Sequence, residues 1–170
     1  TTLFRSQEGW FLTGDIGEIN EAGFLKITDR KKDIIITNSG KNIAPQKIEN
    51  IAKTCKHISH MVVIGDKRNY VTALIGIEKL KFVDYFLDFG IPTDSSIESL
   101  SHHPKIYHLI KTEVDYINQN LANFESIKKF TILPIEISSD NYLTPSQKIK
   151  RRSLLEDFSH LINAMYQEVK

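Results

Sequence analysis

Met61-Val62-Val63-Ile64-Gly65 and Val71-Thr72-Ala73-Leu74-Ile75-Gly76-Ile77 flank the loop Asp66-Lys67-Arg68-Asn69. Both runs have the β-branched, uncharged composition of strands. What surrounds them decides the fold class. Upstream, Ile34-Ile35-Ile36-Thr37 reads as a strand ending in the turn Asn38-Ser39-Gly40-Lys41-Asn42. Pro45 then suits the first turn of a helix whose apolar positions Ile48, Ile51, Ala52 and Cys55 recur at helical spacing. Downstream, the pattern predicts helices over 80–89, 94–100 and 104–122, a strand at 129–133 closed by Pro134, and a polar loop over 138–148. A closing helix over 152–167 places Leu154, Leu155, Phe158, Leu161, Ile162 and Met165 on one face. Strands mixed with helices, without regular βαβ alternation, predict an α+β domain with a mixed or antiparallel sheet flanked by helices.

The first thirty residues have a different rhythm. Ile16-Gly17-Glu18-Ile19 and Phe24-Leu25-Lys26-Ile27 alternate around Asn20-Glu21-Ala22-Gly23, a β-hairpin pattern. The charged knot Asp29-Arg30-Lys31-Lys32-Asp33 follows, too polar to be buried, and reads as a linker. It sets a boundary between residues 1–31 and 32–170.

Composition narrows the function. Lys and Arg total 22 against 21 acidic residues in a chain of 170, which argues against a dedicated nucleic-acid binder. The single cysteine excludes an internal disulfide and fits a reducing compartment. No apolar run approaches the roughly 20 residues that span a bilayer, and the N-terminus has no signal-peptide pattern. The expected location is cytoplasmic. The missing initiator Met hints at a fragment or a processed chain. Six histidines include His57/His60 and His102/His103/His108, but no Cys or acidic cluster joins them at ligand spacing, so no metal site is expected. Cys55 and the aromatics Phe82, Tyr85, Phe86 and Phe89 read as packing; the latter, with Leu80 and Leu87, could also dock on a larger domain.

Three segments carry chemistry. In Gly9-Trp10-Phe11-Leu12-Thr13-Gly14-Asp15, a carboxylate on a glycine turn can accept hydrogen bonds from two vicinal hydroxyls, although an ordinary turn aspartate looks the same. The charged knot precedes Ser39-Gly40-Lys41-Asn42-Ile43-Ala44-Pro45. A phosphate-loop reading of Gly40-Lys41 fails, because position 35 is Ile where a glycine is needed and position 42 is Asn where Ser or Thr is needed. Leu143-Thr144-Pro145-Ser146-Gln147-Lys148-Ile149-Lys150-Arg151-Arg152 is a basic helix start, or a mobile loop whose lysine acts as a point charge.

In this order, the segments resemble the superfamily of adenylate-forming enzymes: acyl- and aryl-CoA synthetases, firefly luciferase and the adenylation domains of peptide synthetases. The resemblance runs from Thr-Gly-Asp through Asp-Arg-Lys-Lys-Asp, Gly-x-x-Ile-Ala-Pro and Ile48-Glu49 to Lys-Ile-x-Arg-Arg. It is closest to the long-chain fatty acyl-CoA synthetases, with Thr-Pro-Ser/Thr-x-Lys near the end. Gln147 stands where many shorter-chain relatives have glycine.

The resemblance implies the end of a large N-terminal domain over 1–31 and a small C-terminal lid over 32–170. It implies an ATP-dependent fatty acid–CoA ligase that forms an acyl-adenylate and then a thioester. Lys148 would supply the catalytic cation, Asp15 would hold the ribose hydroxyls and Arg30 would lie near the same nucleotide. Lys32 would be the hinge. Gly40 would line the pantetheine tunnel, and Lys41, Lys150, Arg151 and Arg152 would meet CoA phosphates or remain solvated. ATP, CoA and Mg2+ are the implied cofactors, with the Mg2+ ligands, phosphate loop and acyl pocket outside this chain, which alone is expected to be inactive. Fatty acid is the implied substrate, and peripheral membrane contact of the full enzyme stays open. The competing readings are an acyl-AMP ligase serving a carrier protein and a non-catalytic interaction module of the same fold.

Overall fold

The computed structural model describes residues 6–7 and 10–167. Gly9 of the first motif lies outside the described residues, as do 1–5, 8 and 168–170. The architecture is α+β. Its centre is a three-stranded mixed sheet in the order β7 (His60–Ile64), β8 (Val71–Gly76), β9 (Ile127–Ile132). β7 and β8 pair antiparallel, Val62 opposite Leu74, and β8 and β9 pair parallel, Leu74 opposite Thr131.

The period-two geometry of these strands sorts their side chains into two cores. Met61, Val63, Val71, Ala73 and Ile75 face one layer, packing with Ile48 of α1 (Pro45–Ala52) and Ile106, Ile110, Val114 and Ile117 of α4 (Pro104–Gln119). Val62 and Leu74 face the other, with Leu154 of α5 (Arg151–Asp157) and Ile162 and Met165 of α6 (Ser159–Tyr166). Covered on both faces, β8 is buried throughout, as its unbroken apolar run requires. Its one buried hydroxyl, Thr72, donates to Tyr166 Oη at 3.0 Å.

Outside this body, β1 (Ser6–Gln7) and β2 (Trp10–Phe11) pair, and the expected hairpin forms from β3 (Asp15–Ile19) and β4 (Leu25–Arg30). β5 (Ile35–Ile36) and β6 (Asn42–Ile43) make a shorter ladder than the apolar run 34–37 suggested.

Several expectations are corrected. The charged knot is not wholly solvated: Asp29 is 1% exposed, because its carboxylate accepts two backbone N–H groups. The stretch 80–89 is a 3-10 segment (Lys79–Tyr85) running into α2 (Phe86–Phe89), not one helix. It turns Phe82 and Phe86 into the core and leaves Leu80 and Leu87 in solvent. The stretch 94–100 begins later, as α3 (Ile97–Ser101), where Ser96 accepts from the Ser99 N–H as N-cap. The closing helix breaks at Phe158, whose ring packs into the second core. The polar stretch 138–148 also carries core, since Leu143 is buried and bridges to Ile149. Cys55 lies beyond the end of α1, half-buried; burial, with Glu113 nearby, pushes its thiol up to about 11. Among the described residues, no helix is long and apolar enough to cross a membrane.

Candidate functional site

Gly14 takes φ +78°, a conformation open to glycine, and delivers Asp15 to the start of β3. The Thr13 hydroxyl accepts the Asp15 N–H at 3.1 Å, and the Lys31 N–H reaches back to the Gly14 carbonyl at 2.8 Å. In the antiparallel register Asp15 lies opposite Arg30, and the Arg30 guanidinium meets Asp15 Oδ1 at 3.1 Å. The hairpin ladder therefore sets two of the sequence candidates side by side, with the second carboxylate oxygen of Asp15 left for another donor.

Lys148 comes from the far end of the chain, on a tight turn. The Thr144 hydroxyl accepts the Lys148 N–H at 3.0 Å, and the Thr144 N–H donates to the Lys148 carbonyl at 2.8 Å. Gln147 sits at φ 61°, in the left-handed region, which explains why glycine would suit this position. The turn is tied down by Arg151. Its Nη1 meets Glu49 Oε1 at 2.7 Å and its Nη2 donates to the Val63 carbonyl at 2.7 Å, while Glu49 Oε1 also accepts the Val63 N–H at 2.9 Å. Burial holds the Glu49 carboxyl above the usual carboxylate range despite the arginine beside it.

These pieces enclose one cleft of about 790 Å³. Asp15, Ile27, Asp29 and Arg30 line it from the hairpin, Gln46 and Glu49 from α1, and Gln147, Lys148 and Arg151 from the C-terminal turn. The structure thus brings Asp15, Arg30 and Lys148 to one place. Lys32, Gly40 and Lys41 are not among the lining residues. Lys32 is exposed in the turn that follows β4. Gly40 adopts φ +74° with nothing near an added Cβ, so conformation and not crowding calls for glycine there in this arrangement. Lys41 lies over the Phe124 ring, 5.7 Å from its centre. Arg151, read as a residue for CoA phosphates or solvent, is instead half-buried and fully engaged within the body. Lys150 donates to the Asn141 carbonyl, and Arg152 pairs with Glu156 on the surface.

Residues 32–170 match the family model described as the AMP-binding enzyme C-terminal domain. The chain belongs to that family. The chain is 39% identical over 160 residues to the long-chain-fatty-acid–CoA ligase FadD15 of Mycobacterium tuberculosis, covering 94% of this chain and 27% of that protein. It is 33% identical over 166 residues to long-chain-fatty-acid–CoA ligase 1 of Schizosaccharomyces pombe, covering 95% and 25%. The chain thus spans about a quarter of the length of these curated relatives. Its fold matches about a quarter of the adenylation domain of a carboxylate reductase from Mycobacterium chelonae, with a TM-score of 0.74 at 18% identity, covering 96% of this chain and 24% of that one.

Two features of the site escape a reading of the sequence. The Glu49–Arg151 pair joins residues far apart in the chain; the only signal is that Ile48-Glu49 and the terminal Arg-Arg stand in separate motifs. The buried contacts of Asp29 are hidden because a charge run usually marks a solvated loop.

Proposed function

We propose that this chain is the lid of an ATP-dependent, AMP-forming long-chain fatty acid–CoA ligase, with residues 1–31 closing the large domain and 32–170 forming the mobile one. The observation that carries the reading is the shared cleft. Three residues separated by most of the sequence, Asp15, Arg30 and Lys148, line one space large enough for part of a nucleotide. The names of the curated relatives support the fatty-acid substrate class.

In the first step a carboxylate approaches the α-phosphate of ATP, anion against polyanion, so the largest help a protein can give is a placed cation. Lys148 supplies it from a turn locked by Thr144 and anchored by Arg151. Asp15 accepts the ribose hydroxyls through the oxygen that Arg30 does not hold, and Arg30 adds positive charge beside the nucleotide. In the second step CoA thiolate displaces AMP, and Lys148 must withdraw. Lys32, exposed and unbranched, turns the lid without disturbing either core. Gly40 and Lys41, not part of the cleft lining in the present arrangement, then face the pantetheine arm and phosphates of CoA. The family resemblance assigns the Mg2+ of the reaction ligands outside this chain, and no step here runs through it.

The test is Lys148→Ala in the full-length protein. Acid-dependent ATP–pyrophosphate exchange should fall about 10²- to 10³-fold, while thioester formation from supplied acyl-adenylate stays near the parent rate. Equal loss of both steps would strip Lys148 of its role as the cation specific to adenylation. The 170-residue chain alone should show no exchange.

A further inference from the structure

The first turn of α1 lacks a local cap. Ala44 occupies the N-cap position and has no side-chain acceptor to offer the free N–H groups. The acceptor comes from the other side of Lys32. Asp29, near the end of β4, takes the Gln46 N–H on Oδ2 at 3.2 Å and the Arg30 N–H on Oδ1 at 2.7 Å. At 1% exposure this carboxylate has exchanged water for backbone donors and for the positive end of the helix. Asp29 also lines the cleft, with Arg30 on its own side and Gln46 and Glu49 opposite. The bond therefore exists only while the end of β4 rests on α1, the arrangement in which Asp15, Arg30 and Lys148 share one space. A turn of the chain at position 32, as proposed above, would separate the two partners, uncap α1 and return Asp29 to water.

We propose that Asp29 is a positioning residue for adenylation: it caps α1 from across the hinge, holds the Lys148 turn toward Asp15 and Arg30 during the first step, and releases before the second. The inference rests on the roles proposed for Lys148 and Lys32 and adds to them a contact that discriminates between the two poses.

Full-length Asp29→Ala and the near-isosteric Asp29→Asn are assayed beside Lys148→Ala, each half-reaction separately. In Asp29→Ala, ATP–pyrophosphate exchange should fall about five- to tenfold, the value of a lost helix cap. The fall should be smaller in Asp29→Asn, which keeps one acceptor oxygen. Thioester formation from supplied acyl-adenylate should hold at the parent rate or rise in both. A merely structural role would depress both half-reactions together, and that outcome overturns the proposal, as does unchanged exchange in both variants. If Lys148→Ala itself leaves exchange intact, the underlying reading falls. If it abolishes exchange while the Asp29 variants match the parent, the latch alone falls.

Discussion

Strand β8 and the hairpin β3–β4 dispose of their apolar side chains in opposite ways. β8 carries no charged residue and is buried throughout, whereas β3 and β4 mix apolar with charged residues and every residue of β3 is exposed. On the hairpin, Ile19, Phe24, Leu25 and Ile27 stand between 57% and 72% exposed. The body around β8 finishes its own core with helices on both faces. The hairpin meets α1 at its Asp29 end, and Ile19, Phe24, Leu25 and Ile27 leave an apolar surface exposed among the described residues. This difference in self-sufficiency falls close to Lys32, the position proposed above as the hinge.

The sharpest way to break this contrast is to delete comparable side chains on either side of it. Leu74→Ala removes a fully buried side chain at the centre of the second core and should cost about 3 kcal/mol of stability. Phe24→Ser, on a side chain 72% exposed, should change the stability of the 170-residue chain by less than about 0.5 kcal/mol. Denaturant titrations of both variants check this. A large loss for Phe24→Ser would mean that the hairpin already belongs to the body.

The body is the more legible half in sequence. The two strands around Asp66–Asn69 appear within a residue of their expected ends because apolar runs and turn residues are local signals. Helix α4 begins at residue 104 as the expected span 104–122 does, and ends at Gln119. The hairpin and its turn are legible for the same reason, but its exposure is not, since alternation says only that one face is apolar and not what covers it. The site is legible as motifs and illegible as contacts. Asp15, Arg30 and Lys148 can be named, whereas Glu49–Arg151 and Asp29–Gln46 depend on how distant elements pack.

Gln147 sharpens the comparison by separating exposure from indifference. It is as solvent-exposed as the hairpin, yet its φ of 61° is imposed by the turn that carries Lys148. Left-handed backbone costs a residue with a Cβ about 1–2 kcal/mol, and glycine loses about 0.5–1 kcal/mol through its freer unfolded chain. Relief of the strained backbone outweighs that loss, so Gln147→Gly should stabilise by about 0.5 kcal/mol. Thermal melting of the variant beside its parent reads the sign, and a destabilised variant would show that the Gln147 side chain holds the turn.

His60 marks the border itself, as the first residue of β7 and part of the cleft wall. Burial lowers its pKa from 6.5, Lys81 adding to the effect and Glu78 opposing it. The folded protein therefore binds this proton less readily than the unfolded chain does. The stabilising difference is complete above 6.5 and is lost as pH falls from there through the depressed folded value. His60→Gln removes this group from the balance, so the fall in stability between roughly pH 7 and pH 5 should be shallower in the variant than in the parent. The effect is the smallest of the set, because the ring is only partly shielded and solvent screens its charge. Its direction is still decisive, since a steeper fall in the variant would mean that His60 gains a partner on protonation, and Glu78 is the carboxylate placed to supply it.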